Sequence, residues 1–295
     1  MLKVIARVPA KINLMLSVGP VRSDGFHELA TVFHAVSLYD EVSAVHADAV
    51  TVHVTGPYAD DTPADESNLA VRAARALARK ARLRSGALLR VDKEIPVAAG
   101  LAGGSADAAG ALLACDRLWG LRMPESRLSA VAAGLGSDVP FSLAGGTAVG
   151  TGRGERLRQV PVGAPLHWVL ATADGALSTP EVYRRLDDLR SDRKVPAPAV
   201  PGELLAALAA ADVDALAGLL HNDLQEAALA LRPALGDTLR AGREAGALAG
   251  IVSGSGPTCV FLARDAESAG ALAVDLAASG TCARAVAVTG PADVG

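Results

Sequence analysis

Pro96-Val97-Ala98-Ala99-Gly100-Leu101-Ala102-Gly103-Gly104-Ser105-Ala106-Asp107 is a run of small residues that leads straight into an apolar-periodic segment. Ala108, Ala109, Leu112, Leu113, Cys115, Leu118 and Trp119 recur at helical spacing, and Gly120 stands where a C′ glycine would end the helix. A glycine-rich loop that opens a helix gathers unpaired backbone N–H groups at the positive end of the helix dipole, a geometry suited to a polyphosphate. Small residues matter there because a large side chain would hold phosphate oxygens away from the main chain. A flexible turn before a buried helix is the plainer account of the same residues. Two familiar phosphate loops are excluded. The chain contains no Gly-x-x-x-x-Gly-Lys-Ser/Thr, and no Gly-x-Gly-x-x-Gly that follows a strand with an acidic residue downstream. The His-Arg-Asp and Asp-Phe-Gly set of protein kinases is also missing. A phosphate loop here is therefore of a third kind.

The 295 residues suffice for one to two domains with a large core. With 51% hydrophobic but only 3% aromatic residues, that core must be built from Ala, Leu and Val. A net charge of −4 argues against a nucleic-acid-binding surface. The most hydrophobic stretch, Leu204 to Leu220, is broken by Asp212 and Asp214, so no membrane span is expected. Met1-Leu2-Lys3-Val4-Ile5-Ala6-Arg7 interleaves charge with apolar residues and does not read as a secretory signal. Cys115, Cys259 and Cys282 are isolated and lack metal-ligand spacing, as in a cytoplasmic protein with reduced thiols.

Strand and helix signals alternate along the first half. Short strands are expected over 4–8, 13–18, 31–38, 42–46 and 50–54, a helix from Ser67-Asn68 to near Arg84, and a strand over 87–91. A helix over 124–133 follows the loop helix, and Gly150-Thr151-Gly152-Arg153-Gly154 reads as a hinge. Beyond it a strand over 168–172, a Pro-rich loop over 192–202, helices over 203–220 and 223–247, and strands over 258–263 and 283–288 flanking a helix near 267–278 are expected. This is an α+β pattern, with two lobes and a cleft between them.

Three further segments place polar or rigid residues where core and turn chemistry do not require them. In Pro9-Ala10-Lys11-Ile12-Asn13-Leu14, Lys11 either points to solvent from an edge strand or sets an ammonium beside a phosphoryl group or carboxylate. In Gly136-Ser137-Asp138-Val139-Pro140-Phe141, Ser137 suits a helix cap and Pro140 its first turn. Asp138 is then either a structural acid at a helix start or the acceptor of a substrate hydroxyl proton. A helix N-terminus and a nearby Lys favour its ionised form, so it would orient the hydroxyl and take the proton late in a loose transition state. Ser253-Gly254-Ser255-Gly256-Pro257-Thr258 is a tight turn whose amides could face phosphates.

Together with Ser23-Asp24-Gly25-Phe26-His27, these segments resemble, in order and over nearly the whole chain, the GHMP kinase superfamily. Within it they resemble the branch acting on a CDP-linked methylerythritol. The resemblance implies a two-lobed α+β fold, with an N-terminal lobe like the second domain of ribosomal protein S5 and a ferredoxin-like C-terminal lobe. It divides the chain into a nucleotide-binding domain over 1–155 and a C-terminal domain over 156–295. It further implies ATP-dependent phosphorylation of the substrate's 2-hydroxyl, in the non-mevalonate route to isoprenoid precursors. Lys11 and Asp138 match the catalytic pair and Pro96 to Ala106 the ATP phosphate loop; Asn13 lies beside the reacting substrate. His27 matches a histidine that recognises cytosine, with Phe26 and Tyr183 on either face of the base and Thr179, Gly254 and Ser255 also against the substrate. Phe26 stands where the family often has Tyr, so a hydroxyl contact is lost while stacking survives. Ala102 replaces a glycine of some relatives. Mg²⁺ is implied alongside ATP, but Ala106 stands where many relatives have a second Ser, leaving Ser105 or water for that role and no assigned metal ligand. Monomer and homodimer both remain open.

A homoserine- or mevalonate-type kinase would keep the phosphate loop without needing Asp-Gly-Phe-His or the Tyr183 ring. A catalytically silent metabolite sensor would have no use for Lys11 together with Asp138.

Overall fold

The computed structural model describes residues 2–295. Strand β1 (Val4–Val21) and strand β2 (His27–Ala47) form one long antiparallel ladder, from Val4 opposite Ala44 to Val21 opposite His27. Four of the expected short strands are thus two long ones. The polar and proline interruptions that divide the sequence pattern are absorbed by register shifts at Pro9/Ala10, Asn13/Met15 and Val18/Val21, which bend a strand without ending its pairing.

The chain continues through β3 (Thr51–Thr55), α1 (Leu69–Ala81), β4 (Gly86–Asp92), α2 (Gly103–Leu118), α3 (Glu125–Ala133), α4 (Val139–Ala144), β5 (Thr147–Gly152) and β6 (Arg156–Gln159). Asn68 caps α1 by accepting the Ala70 N–H, and α2 stops at Trp119 with Gly120 left-handed at φ 63°. Three of the residues read as a hinge instead end a strand: β5 pairs with β2 on one side and β6 on the other, and the turn at 153–155 joins β5 to β6.

Then come β7 (Leu166–Thr172), α5 (Thr179–Leu189), α6 (Gly202–Ala210), α7 (Val213–Ala217), β8 (His221–Asn222), α8 (Gln225–Leu231), α9 (Ala234–Glu244), β9 (Ala249–Val252), β10 (Cys259–Ala263), α10 (Ala266–Ala278) and β11 (Arg284–Gly290). The helices expected over 203–220 and 223–247 are each broken, while the one near 267–278 is present as α10. Ala211 turns left-handed at φ 51° and Asp212 caps a new start, accepting the Ala215 N–H. Pro233, with no N–H to donate, divides α8 from α9.

The larger sheet runs β3-β4-β2-β1-β8, with β5 and β6 continuing from β2. The smaller one is antiparallel in the order β11-β7-β10-β9. Period-two alternation in the smaller sheet serves two cores. Trp168, Leu170, Val260 and Leu262 join Leu14, Leu89 and Leu112 in the main core, while Val169, Cys259 and Phe261 face Leu239 and Leu272. Helix α2 closes on β2 so tightly that a Cβ on Gly110 would sit 2.6 Å from Val42 Cγ2. Near the seam between the sheets lies His34, fully buried, with Nδ1 2.7 Å from the Thr147 hydroxyl and its ring edge-on to Trp168; burial pulls its pKa down to about 3. Cys115 and Cys259 are buried free thiols and Cys282 is half-buried. No helix among the described residues is long and apolar enough to cross a membrane.

Candidate active site

Strand alternation in β1 sends Ala10, Ile12 and Leu14 into the core and leaves Lys11 and Asn13 for the opposite face, where a cavity of about 760 Å³ opens. β1 is an inner strand, flanked by β2 and β8, and Lys11 is 5% exposed; the solvent-facing reading of this residue is overturned. Its ammonium donates to Asn13 Oδ1 at 2.8 Å and to the Gly100 carbonyl at 3.0 Å, and lies 3.7 Å from Asp138 Oδ2. Burial lowers the Lys11 pKa, and the Asp138 charge opposes that shift. Asn13 is fixed in turn: its Nδ2 donates to Thr31 Oγ1 at 2.8 Å, and that hydroxyl donates to the Met15 carbonyl. Ser137 does not cap α4. Asp138 itself holds the N-cap position, without a side-chain cap bond, and its carboxylate is left to face Lys11.

The small-residue loop enters α2 through Ala102, left-handed at φ 58° and forming no side-chain cap bond, so the first amides of α2 are not covered by a cap. Gly100, at φ 79°, must be glycine: a Cβ there would lie 2.2 Å from the Ser253 carbonyl. The loop is pinned from two sides. Lys11 N–H donates to Leu101 O at 3.1 Å, and Ser253 Oγ donates to Gly100 O at 3.1 Å. Ala98, Ala99, Gly100, Ala102, Gly103, Gly104 and Ser105 line the cavity. Pro96, Val97, Leu101 and Ala106 do not; Leu101 and Ala106 are core residues.

The far end of the cavity is aromatic. Phe26 is 50% exposed at the lip, and His27 and Tyr183 stand with ring centroids 5.1 Å apart, tilted by 31°. A carbonyl can only accept, so His27 Nδ1, 3.0 Å from Gly19 O, carries the proton of that bond; Nε2 is 3.4 Å from Asp187 Oδ2. Burial, with the Asp138 charge adding to it, pushes the Tyr183 phenol up. Thr179 and Ser255 share a hydroxyl contact of 2.9 Å on the same wall. Gly254, at φ 55°, lies where a Cβ would be 3.2 Å from Asn13 Oδ1. Asn222 holds that turn by donating to Val252 O and Gly254 O.

One cluster escaped the reading of the sequence. Lys93, fully buried, bridges Asp40 and Asp107, with Asp107 Oδ2 at 3.0 Å. Asp40 Oδ1 accepts the N–H groups of Glu94 and Ile95, both at 2.8 Å, and a Cβ on Gly103 would sit 2.8 Å from Lys93 Nζ. Entry to and exit from the small-residue loop are thus tied to one buried ion cluster. Burial, reinforced by Asp40 and opposed by Lys93, pushes the Asp107 carboxyl up to about 7. In the sequence Lys93 stands between Asp92 and Glu94 and reads as part of an exposed charged run, so no local signal marked it.

A small-residue loop opening α2 and a buried lysine–carboxylate pair share one cavity, on a frame of two packed sheets that is the fold of the small-molecule kinases of the GHMP class. Residues 68–146 match the GHMP kinases N terminal domain and residues 204–282 the GHMP kinases C terminal domain. The 4-diphosphocytidyl-2-C-methyl-D-erythritol kinase of Streptomyces avermitilis is 57% identical over 99% of this chain and 98% of that protein. That of Mycobacterium tuberculosis is 54% identical over 98% of this chain and 91% of that protein. A crystal structure of 4-(cytidine 5'-diphospho)-2C-methyl-D-erythritol kinase superposes with a TM-score of 0.79 at 34% identity, covering 99% of this chain and all of that one. The fold alone is shared with L. major mevalonate kinase, at a TM-score of 0.78 and 15% identity over 98% of this chain and 95% of that one. The chain belongs to the GHMP kinases, in the family of the 4-diphosphocytidyl-2-C-methyl-D-erythritol kinases.

Proposed function

We propose that the protein transfers the γ-phosphoryl group of ATP to the 2-hydroxyl of 4-diphosphocytidyl-2-C-methyl-D-erythritol, a step of the non-mevalonate route to isoprenoid precursors. The observation that carries this is the convergence of Asp138 Oδ2 and Gly100 O within 3.7 Å of the Lys11 ammonium, at the mouth of the phosphate loop. The amides opening α2 hold the triphosphate, and the Lys11 ammonium is placed to meet charge that develops on the transferred group. Asp138 orients the acceptor hydroxyl and receives its proton once transfer is well advanced. Asn13 fixes the lysine.

His27, Phe26 and Tyr183 form a pocket for a flat heteroaromatic base, which favours a cytidylyl substrate over homoserine or mevalonate. The residues fit a magnesium ion that travels with the nucleotide. No group of three or more His, Cys, Asp or Glu able to hold a metal exists among the described residues, and an ion bound chiefly by substrate phosphates needs only one or two protein oxygens. Ser105, which lines the cavity at the loop, would supply one, with water completing the shell. Such an ion neutralises phosphate charge.

ADP release measured with the CDP-linked compound, homoserine and mevalonate tests the assignment; turnover confined to homoserine or mevalonate refutes it. Asp138→Ala should abolish turnover while nucleotide affinity stays within about tenfold, roughly 1.4 kcal/mol. A folded variant with unchanged turnover removes Asp138 from the chemistry. His27→Ala should raise KM for the cytidylyl substrate far more than KM for ATP, and equal effects would take His27 out of the base pocket.

A further inference from the structure

Between the base pocket and Lys11 the cavity wall is the turn joining β5 to β6, and it presents one side chain, Arg153. The turn is rigid. Gly152 and Gly154 are left-handed at φ 73° and 104°, the Gly154 N–H donates to Thr151 O at 3.0 Å, and the Arg153 N–H donates to Glu155 Oε2 at 2.7 Å. Its two ends touch the two ends of the site. The Arg153 guanidinium lies over the Phe26 ring, 4.8 Å from the centroid. A Cβ on Gly154 would be 3.2 Å from Phe33, the ring over which Lys11 Nζ stands at 5.6 Å. Phe26, Arg153, Phe33 and Lys11 therefore follow one another along the cavity.

The charge inventory narrows the choice to two arginines, and the stacking on Phe26 selects Arg153. Lys11 is engaged by Asn13, Gly100 and Asp138, and Arg22 by Asp24 at 3.1 Å and Glu28 at 2.9 Å. Two arginines line the cavity, Arg153 and Arg184, and neither has a carboxylate within ion-pair distance among the described residues; of the two, Arg153 is the one stacked on a ring of the base pocket. A substrate whose base lies at Phe26 and whose hydroxyl lies at Lys11 must lay its diphosphate across this turn. A guanidinium can stack on an aromatic ring while its remaining N–H groups fork onto phosphate oxygens.

We propose that Arg153 is a specificity-determining residue that binds the diphosphate linking the base to the acceptor alcohol, its guanidinium braced on Phe26. This rests on the proposed function and adds to it the group that reads the middle of the substrate. It predicts that the protein distinguishes a nucleoside diphosphate from the bare nucleoside chiefly through one side chain.

The test uses the full chain at saturating ATP, with CDP and cytidine as competitive inhibitors against the cytidylyl substrate. Arg153→Gln should raise KM for that substrate and the inhibition constant of CDP by tenfold or more. The constants for cytidine and KM for ATP should move less than twofold. Arg153→Lys, which keeps the charge but not the fork, should recover part of the loss. Equal weakening of CDP and cytidine would overturn the assignment, reducing Arg153 to a brace for Phe26; so would an unchanged CDP constant in Arg153→Gln. Wild-type protein indifferent to both inhibitors and inactive on the cytidylyl substrate would instead sink the proposed function.

Discussion

Replacing Lys93 with Met removes the one cation shared by two buried carboxylates. Lys93 and Asp40 are fully buried and Asp107 is 2% exposed, so neither acid can recruit water once the ammonium is gone. Breaking a buried ion pair by deleting one partner costs about 3–5 kcal/mol, because the other partner is stranded. For a chain of this size each kcal/mol lowers Tm by roughly 2 °C, so a fall of roughly 6–10 °C is expected. The loss should not be purely global. Asp40 also fixes the N–H groups of Glu94 and Ile95 at the loop entrance, and Asp107 lies on the first turns of α2 at its exit. KM for ATP should therefore rise in Lys93→Met by a larger factor than KM for the acceptor. Asp107 Oδ1 has no hydrogen-bond partner, so adding Asp107→Leu to Lys93→Met removes a buried polar group left without its partner, at small cost in bonding, and should return part of the lost Tm. Thermal denaturation at pH 7.5 with steady-state kinetics of the three proteins decides the matter. A Lys93→Met protein melting within about 2 °C of wild type, with an unaltered ATP KM, would refute the reasoning.

Asp107→Asn should change the pH dependence of stability. Folded Asp107 holds its proton up to about 7 while the unfolded chain releases it near 3.8, so the folded state binds more protons between those values and stability falls as pH rises through 7. Denaturant midpoints over pH 6.5–8 should decline for wild type and should not decline for the variant. His34 acts in the opposite sense: pulled down to about 3, it leaves the folded state a poorer proton binder below pH 6.5, so acid should destabilise Asp107→Asn more steeply than wild type, in which the two trends offset. Ala102→Gly should relieve about 1 kcal/mol of left-handed strain while losing roughly half of that to chain entropy, a small rise in Tm; a fall would show that the Ala102 methyl group contributes packing. Gly242→Ala should destabilise by about 1–3 kcal/mol, since its Cβ would meet the Phe261 ring at 2.2 Å; calorimetry showing no change would mean that the ring is free to shift.

The parts of the site carried by local chemistry were legible in the sequence. The small-residue loop, Lys11 with Asn13, and the Asp138 segment each break a local rule, and the structure brings them around one cavity. Leu101 and Ala106 were drawn in by adjacency, yet they serve the core, because a loop that shows its amides to a ligand must turn some side chains inward. What was not legible depends on partners distant in sequence. Asp40 and Lys93 are 53 residues apart, and nothing in either neighbourhood announces the other. Strands β1 and β2 exceed their local patterns because each completes the other's ladder. The apparent hinge at Gly150 to Gly154 was misread for the same reason: its glycines answer the Phe33 ring, which a Cβ on Gly150 would approach to 2.7 Å. Pro233, by contrast, was a visible breaker inside an expected helix.

The continuity of apolar packing from Leu14 through Trp168 to Leu262 has a practical consequence. A polypeptide severed between the sheets would leave each fragment with a bare greasy surface, so complementation from separately expressed pieces should fail and calorimetric melting should follow a single cooperative transition. Engineers seeking a tolerated insertion point should look to the exposed residues 192–194 that open the proline-rich stretch, ahead of Pro198 and Val200, which pack on the body of the protein.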